Sequence, residues 1–403
     1  MAGDVRGHDA GALSDLDLQA ISFIPPGGNW RSLPEDFPSA RVKQIREGAA
    51  LGTGSRSSYY GRLTWDSTAS TIATYFVRPG NGANIHPSAD RTLTYREAAR
   101  LQGFQDCVIF QGTRRARAMQ IGNAVPPPVA AWLASALPAR GGAVELFAGA
   151  GGLAAGIQAA GFETVAVADH DAAALRTLQS YLSPRVPAEA SDLSRKDARE
   201  RLVSQVKAVL GKERLALVAG GPPCQGFSNA GSNRLFEDPR NELPDAFLWM
   251  IQKLRPRQVL FENVAALSWK SRRPWFNSLL GHLEDMRYVV RWRVVHCEAL
   301  GLPQRRRRLV VVGTDSSLPP YEFPTGPHKI LEPAYRGDAQ PELATAGLPP
   351  SVRDAIGDLP ENAADSEKDA VVLVDDGNRS LFRQYVRGDL SLRQYVKALE
   401  AIK

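Results

Sequence analysis

Short apolar runs alternate with helical segments across the middle of the chain. Five runs have the length of buried strands, and helical patterns follow several of them: residues 143–147, 164–168, 215–219, 258–261 and 309–312. This alternation is typical of a doubly wound, mostly parallel α/β sheet, because each parallel crossover needs a connecting helix. We therefore predict an α/β domain over residues 141–313.

The flanking regions lack this alternation. Residues 1–20 carry no sustained apolar period, which predicts a frayed N-terminal tail. Residues 21–91 are rich in turn residues and predict small strands joined by long loops. Within residues 92–140, a capping box of Thr94 with Glu97 and a second run over 126–137 predict two helices. Residues 314–403 are Pro-rich and predict a loop-rich region with some helix.

The composition is that of an ordinary globular chain, with 403 residues, 43% hydrophobic and 23% charged. Lys and Arg outnumber Asp and Glu by 49 to 43, an excess that permits a polyanionic partner without demonstrating one. The three cysteines are far apart, which excludes a disulfide framework and a thiolate zinc site. No run of about eighteen apolar residues occurs. We therefore expect a cytoplasmic protein with no metal and no membrane span.

The first candidate site follows the run at 143–147. The segment FAGAGG (147–152) places glycines and a helix N-terminus where an open α/β sheet binds its ligands. Asp169, about twenty residues later, suits the hydroxyl groups of a ribose. This pattern alone fits a nicotinamide enzyme, an S-adenosylmethionine enzyme or an ordinary tight turn.

Two further strand ends carry reactive side chains. In GGPPCQGFS (220–228), Cys224 follows two prolines whose fixed φ stiffens the loop, and a thiol at such an edge can act as a nucleophile. In FENV, Glu262 ends the run from 258, where a raised pKa would make it a hydrogen-bond donor or general acid. The alternatives are a small buried cysteine and a surface glutamate.

The fourth motif is PQRRRR (303–308), directly before the last apolar run. In an extended segment Gln304, Arg306 and Arg308 share one side. We therefore expect three donors to converge at one edge, suited to a phosphate or a base carbonyl. The alternative is a solvated run of charge.

Together these four motifs, in this order, resemble the DNA cytosine-5 methyltransferases. The resemblance extends to LTYREAARLQGF (93–104) and QIGNAVPPPVAAWLA (120–134). In most of the family these last two motifs close the chain, whereas here they precede FAGAGG, so the chain looks like a circular permutation.

The resemblance assigns a role to each region. Residues 141–313 would form the cofactor-binding and catalytic domain, with a Rossmann-like methyltransferase fold. Residues 92–140 would hold the last two family motifs and pack on that domain. A smaller, loop-rich target-recognition domain would be split, with its first half at 314–403 and its second half at 21–91. Neither half should recognise DNA alone, so truncating either end should leave cofactor binding and abolish sequence-specific methylation.

The resemblance also implies a reaction: methyl transfer from S-adenosylmethionine to carbon 5 of a cytosine flipped out of duplex DNA. Cys224 would add to carbon 6 of the base, Glu262 would bind ring nitrogen 3 and the exocyclic amine, and Arg308 would hold the ring carbonyl. Arg306 would help order the Cys224 loop. Further residues implied are cofactor-binding Phe147, Ala148, Gly149, Gly151, Gly152, Leu153, Asp169, Asp192, Pro222 and Asn123, and DNA-binding Gln225, Ser228, Arg240 and Gln304.

The implied partners are double-stranded DNA and, as often in this family, a companion restriction endonuclease; we expect a monomer. Three alternatives stay open: an RNA cytosine-5 methyltransferase of the same family, a nicotinamide-dependent oxidoreductase and a non-catalytic DNA-binding relative. The oxidoreductase hypothesis explains only the glycine turn. His170 stands where the family often has an aromatic residue, so a stacking role there stays undecided.

Overall fold

The computed structural model describes residues 5–52, 58–182, 187–223, 242–269, 273–328 and 347–402. The chain divides into two compact units. The terminal unit contains residues 1–124, 301–306 and 327–403, and the sheet unit contains residues 125–300 and 307–326.

Helices and strands alternate over most of the described chain. The helices are α1 (Asp15–Ser22), α2 (Ala40–Ala50), α3 (Tyr95–Leu101), α4 (Arg114–Asn123), α5 (Pro127–Ser135), α6 (Gly152–Ala159), α7 (Ala172–Tyr181), α8 (Lys196–Leu210), α9 (Glu242–Leu254), α10 (Arg273–Asp285), α11 (Val352–Ile356), α12 (Leu381–Arg387) and α13 (Leu392–Glu400). The strands are β1 (Ala69–Ser70), β2 (Gly142–Leu146), β3 (Glu163–Asp169), β4 (Ala188–Ala190), β5 (Leu217–Gly220), β6 (Gln258–Val264), β7 (Tyr288–His296), β8 (Gln304–Arg305) and β9 (Arg307–Asp315).

The sheet unit is built on a mostly parallel sheet. Among the described residues, seven strands form it in the order β4-β3-β2-β5-β6-β9-β7. Neighbours from β4 to β6 run parallel, whereas β9 is antiparallel to both β6 and β7. This confirms the doubly wound, mostly parallel sheet predicted from the apolar runs. The direction of winding reverses between β2 and β5, and open α/β sheets bind ligands at that point, outside the carboxyl ends of the strands.

Apolar side chains cover both faces of this sheet. On β3, Ala166 and Ala168 belong to one hydrophobic cluster and Val167 to another, because successive side chains point to opposite faces of a strand. Helix α5 starts with a proline at its first position, where the missing N–H costs no hydrogen bond. It packs closely on α6, since a Cβ at Gly156 would lie 2.3 Å from the Cβ of Ala130. Helix α5 therefore belongs to the sheet unit although it precedes the first strand of the sheet.

The terminal unit joins the two ends of the chain. Val5 and Val371 exchange backbone hydrogen bonds of 3.2 and 2.9 Å, and the Arg353 N–H donates to the Trp65 carbonyl at 2.8 Å. Helix α3 begins with the predicted capping box of Thr94 and Glu97. Residues from before 124 and after 347 therefore share one folded unit.

The expectation of a frayed tail over residues 1–20 is wrong for the described residues 5–20. Val5, His8 and Asp9 are buried, and helix α1 begins at Asp15. Asp9 accepts two hydrogen bonds from Arg117, at 3.0 and 2.9 Å. The segment shows no apolar period because two of these buried residues are polar, with partners far away in the sequence.

The observed boundaries also differ from the predicted ones. The predicted segment 92–140 is divided, because residues 92–124 lie in the terminal unit and 125–140 in the sheet unit. Residues 301–306, predicted within the catalytic domain, belong to the terminal unit, and the sheet unit extends to 326. Within 21–91 the described residues form the end of helix α1, helix α2 and a single short strand, where several small strands were expected.

Two features are absent from the described ranges. No three His, Cys, Asp or Glu side chains in that part of the chain lie together so that they could hold a metal ion. No helix there is long and apolar enough to cross a membrane.

His86 is a buried, neutral histidine in the terminal unit. Its Nδ1 accepts from the N–H groups of Ser88 and Ala89, at 3.3 and 2.9 Å, so its proton sits on Nε2, 3.6 Å from Oε1 of Glu97. Burial lowers the pKa of His86 from 6.5 to about 4. The unfolded chain therefore takes up a proton at higher pH than the folded one, and the stability present above pH 6.5 is lost as the pH falls toward 4.

We expect His86 alone to remove about 2 kcal/mol from the stability of the terminal unit between about pH 7.5 and 5. The variant His86→Asn keeps an acceptor for the two N–H groups but cannot gain a proton, so its acid-induced loss should be smaller by that amount. Hydrogen exchange of amides 84–101 at both pH values measures this. The control His282→Asn, at an exposed position of α10, should leave the loss unchanged. An equal acid-induced loss in His86→Asn and the wild type would contradict the assignment.

Candidate active site

Strand β2 ends in a glycine turn that leads into α6. Phe147 and Gly149 have φ angles of 60° and 53°, and Gly151, at φ 83°, is the N-cap of the helix. A Cβ on Gly151 would lie 2.6 Å from Cγ of Leu178, so this position needs glycine for space as well as for conformation. A Cβ on Gly149 would meet no described atom within 4 Å. The turn is therefore open at Gly149, where a ligand can approach the backbone.

Asp169 lies at the end of β3 and is fixed against this turn. Its Oδ2 accepts from the Gly149 N–H and its Oδ1 from the Asp171 N–H, both at 2.8 Å. Burial raises the pKa of Asp169, but hydrogen bonds from His170, Asp171 and Gly149 outweigh it and leave the pKa below its ordinary value. Oδ1 also lies 3.2 Å from Nδ1 of His170, whereas Oδ2 keeps a further lone pair. Asp169 is thus an ionised acceptor that can still bind a hydroxyl group.

His170 and Asp192 extend the same edge of the sheet. Nδ1 of His170 lies 3.2 Å from Asp169, and this hydrogen bond raises the pKa of the exposed histidine. Asp192, in the segment after β4, accepts from the N–H and hydroxyl of Ser194 at 3.0 and 2.7 Å, which lowers its pKa. The edge therefore carries two carboxylates that are ionised at neutral pH.

The other predicted cofactor residues of the turn have few hydrogen-bond donors left for a ligand. Ala148, Gly152 and Leu153 are buried and Phe147 is half-buried. The N–H groups of Ala148, Gly149 and Gly151 are already bonded, to Ala168, Asp169 and Ala148 respectively. These three donors are therefore not available to a bound anion.

Glu145 is a buried carboxyl in β2 that the sequence analysis did not single out. It is 3% exposed, and burial together with the charge of Asp169 raises its pKa well above the ordinary value. Its Oε2 has no hydrogen-bond partner among the described residues. The signal in the sequence is a charged residue inside an apolar run, which must be neutral or paired when it is buried.

Strands β6 and β9 bring Glu262 and Arg308 together. Their antiparallel register pairs Glu262 with Val310 and Val264 with Arg308, so Glu262 and Arg308 are diagonal neighbours on one face. Nε of Arg308 lies 2.9 Å from Oε1 of Glu262, and the side chains are 14% and 9% exposed. Two residues predicted from separate motifs thus form one ion pair.

The end of β5 lies over this pair. A Cβ on Gly221 would lie 3.0 Å from Oε2 of Glu262. Nδ2 of Asn263 donates to the carbonyl of Pro222 at 2.9 Å, a contact that the sequence analysis missed because it depends on strand register. The Gly221–Pro222 segment is therefore fixed beside Glu262. Four predicted residues lie outside the described residues: Cys224, Gln225, Ser228 and Arg240.

The expectation that Gln304 offers its amide to DNA is wrong. Gln304 is fully buried in the terminal unit. Its Nε2 donates to the Leu101 carbonyl at 3.0 Å and to Oε1 of Gln102 at 2.6 Å, while its Oε1 accepts from the Ile72 N–H at 2.9 Å. Both ends of the amide are used within the protein.

Arg306 is also fully buried in the terminal unit. It donates to the carbonyls of Ile72, Gly122 and Ala124 at 3.1, 2.9 and 3.0 Å. The expectation of three convergent donors is therefore wrong, because the amide of Gln304 and the terminal nitrogens of Arg306 bind acceptors within the terminal unit. That Arg306 orders the Cys224 loop stays a prediction, since residues 224–241 lie outside the described ranges.

Asn123 and the other predicted cofactor residues belong to different units. It is exposed at the end of α4 in the terminal unit, whereas the others lie in the sheet unit. Its contact with the cofactor therefore stays a prediction from the motif QIGNAV.

Comparisons with known proteins point in one direction. The sequence model of C-5 cytosine-specific DNA methylases matches residues 29–139 and 142–383. Type II methyltransferase M.XorII of Xanthomonas oryzae pv. oryzae is 31% identical over 251 residues, which cover 61% of this chain and 53% of that protein. M.NaeI of Lentzea aerocolonigenes is 34% identical over 181 residues, 44% of this chain and 41% of that protein.

A third relative is matched over most of its length. Type II methyltransferase M.AquIA of Picosynechococcus is 30% identical over 230 residues, which cover 54% of this chain and 88% of that protein. The aligned part of this chain otherwise spans about half the length of the first curated relatives, M.XorII and M.NaeI.

Proposed function

This chain belongs to the C-5 cytosine-specific DNA methylase family, and we propose that it transfers a methyl group from S-adenosylmethionine to carbon 5 of a cytosine in duplex DNA. The observation that carries the proposal is the Glu262–Arg308 ion pair beside the Gly221–Pro222 segment, which Cys224 follows in the sequence. Because the relatives are type II methyltransferases, we extend the proposal to site-specific modification alongside a companion restriction endonuclease.

The residues present fit S-adenosylmethionine better than a nicotinamide dinucleotide. The turn is open at Gly149, and Oδ2 of Asp169 has a lone pair left for a ribose hydroxyl. Three N–H groups of the turn are already bonded, which disfavours a pyrophosphate, while the carboxylates of Asp169 and Asp192 suit a cationic ligand. When bound, S-adenosylmethionine supplies an electrophilic methyl group. Phe147 would contact its adenine and Asp169 its ribose.

We propose a covalent route in which the chain's own residues activate the base. The Cys224 thiolate forms a bond to carbon 6 of the cytosine, and the ring electrons shift to make carbon 5 nucleophilic. Glu262, in its protonated form, donates to ring nitrogen 3, accepts from the exocyclic amine and passes its proton to nitrogen 3, while Arg308 holds the ring carbonyl. After carbon 5 is methylated, a base removes the proton from carbon 5 and the sulfur–carbon 6 bond breaks, which returns the thiolate. The proton on ring nitrogen 3 goes back to Glu262. The base must first leave the helix, at a cost of a few kcal/mol of unstacking.

We also propose that the chain is a circularly permuted member of the family with a split recognition region. Three observations support this. The family match falls in two segments, on either side of residues 140–141. Helix α5 packs on α6, and the short segment 136–141 connects α5 directly to β2. The terminal unit combines residues from both ends of the chain.

Bisulfite sequencing tests the proposed reaction, on DNA from a methylation-deficient host that expresses the full chain, beside a Cys224→Ser control. We expect conversion-resistant cytosines at one short motif, and none in the control, because serine is a much poorer nucleophile toward carbon 6. A fully convertible genome in cells that contain folded protein would refute the DNA activity. Calorimetric titration with S-adenosylmethionine then shows whether cofactor binding or a later step has failed.

A further inference from the structure

A cavity of about 210 Å³ lies within the terminal unit. Its wall combines the N-terminal segment, α3, the loop at 109–112, α4 and residues 367–368. None of these residues belongs to the candidate active site. The cavity is therefore a separate feature, built from both ends of the chain.

The wall of this cavity is rich in cations. Four cationic side chains and one carboxylate line it: Arg6, Arg96, Arg117, Lys368 and Glu367. Arg6 and Lys368 are exposed, whereas Arg96 and Arg117 are each 2% exposed. Cations thus occur both at the rim and in the buried wall.

The charge of Arg96 is only weakly compensated. Its guanidinium donates to the carbonyls of Arg6, Gln105 and Val108, at 2.8, 3.2 and 2.8 Å. The carboxylate of Asp106 lies 3.8 Å away and already accepts from Arg100 at 2.8 and 2.6 Å. Neutral carbonyls therefore satisfy the hydrogen bonds of Arg96 without balancing its charge.

Arg117 carries a buried donor that is not used. Its terminal nitrogens bind Asp9 and Glu367, and its guanidinium lies 4.1 Å from the ring centre of Tyr95. Its Nε has no hydrogen-bond partner within the described ranges. A buried donor without an acceptor is destabilising, so the two carboxylate partners of Arg117 do not satisfy it completely.

We propose that this cavity binds a phosphate group. Arg6 and Lys368 hold it at the rim, because phosphate oxygens are strong acceptors for guanidinium and ammonium groups. The buried Arg96, whose charge its carbonyl partners do not balance, adds positive potential from the wall. Tyr95 and Phe110 give the cavity apolar faces for whatever the phosphate carries. The volume fits a phosphate with a small substituent, since pockets for larger organic ligands measure about 300–1,000 Å³. A free nucleotide and the DNA backbone are the two sources of such a group.

The test compares two double variants of the full chain. Arg6→Gln/Lys368→Gln removes the two rim cations, and Lys43→Gln/Lys397→Gln removes two exposed lysines of the same unit that do not line the cavity. Calorimetry measures binding of inorganic phosphate and of AMP. Fluorescence anisotropy measures binding of a short DNA duplex over a range of salt concentrations. Titration with S-adenosylmethionine, expected to be unchanged in both variants, separates this site from the proposed active site.

Two results support the proposal and distinguish the source of the phosphate. If AMP or phosphate binds the wild type and the control, and at least about tenfold more weakly the rim variant, the site takes a free nucleotide. If only duplex binding weakens, with a salt slope smaller by about 1 to 2 than that of the control, the site takes a backbone phosphate. If neither affinity differs between the rim variant and the control, the proposal is overturned.

Discussion

Replacing Glu262 by glutamine is expected to lower kcat for DNA methylation by about 10²–10⁴-fold, the range typical of a lost general acid or base. Glutamine keeps the size of the side chain and one donor. It cannot supply a proton to ring nitrogen 3, and it lacks the charge that pairs with Arg308 at 2.9 Å. The dissociation constant of S-adenosylmethionine should not change, because Phe147 and Asp169, proposed to bind its adenine and its ribose, lie just after β2 and at the end of β3. Single-turnover methyl transfer and calorimetry measure the two quantities.

Two controls make this result specific to the site. Glu163→Gln removes the same charge at an exposed position of the sheet unit and should leave kcat unchanged. The effects of Glu262→Gln and Arg308→Met should not add in a double-mutant cycle, because the two side chains act as one pair. A Glu262→Gln enzyme that retains more than about a tenth of wild-type kcat would rule out the proton-supplying role of Glu262.

The residues of this site differ in how well the sequence predicts them. The glycine turn and Asp169 were predictable because local chain geometry and spacing determine them. The contact of Asn263 with Pro222, and that of Glu262 with Arg308, depend on which strands are neighbours and in which register. No pattern within a single motif contains that information.

The helices and strands also differ in how well the sequence predicts them, depending on whether a local pattern or distant contacts determine them. The buried strands β2, β3 and β6 appear in the sequence as continuous apolar runs. Strand β7 does not, because it lies at the edge of the sheet and exposes part of its middle, including Trp292. Helix α2 was missed because only Val42 and Ile45 are buried, too few to establish a period. Gln304 and Arg306 lie two residues apart, as the prediction for an extended segment requires. Their side chains, however, bind buried acceptors within the protein, and the sequence does not reveal those acceptors.

The link between the chain ends rests on a buried cluster of charges in the terminal unit. Asp358 is fully buried and accepts from Arg100 at 2.5 Å and from Arg387 at 2.7 Å. Arg383 lies 3.3 Å from the same carboxylate. Burial raises the pKa of Asp358, but Arg100 and Arg383 outweigh it and leave the pKa below its ordinary value. Since Arg100 belongs to α3, this carboxylate ties the C-terminal segment to a helix near the other end of the chain.

Asp358→Asn is therefore expected to destabilise the terminal unit by about 3–5 kcal/mol, because it removes the buried carboxylate that Arg100 and Arg383 share and leaves each of them one carboxylate partner, Asp106 and Asp376. Asp375 offers a matched control in the same C-terminal segment. It pairs with Arg379 at 2.9 Å on the surface, where water and salt screen the charges, so Asp375→Asn should leave the urea midpoint unchanged. Urea unfolding with hydrogen exchange of amides 95–104 measures both variants. Equal stability losses would show that the cluster around Asp358 does not hold the two ends together. Other contacts would then have to join the two halves of the proposed recognition region.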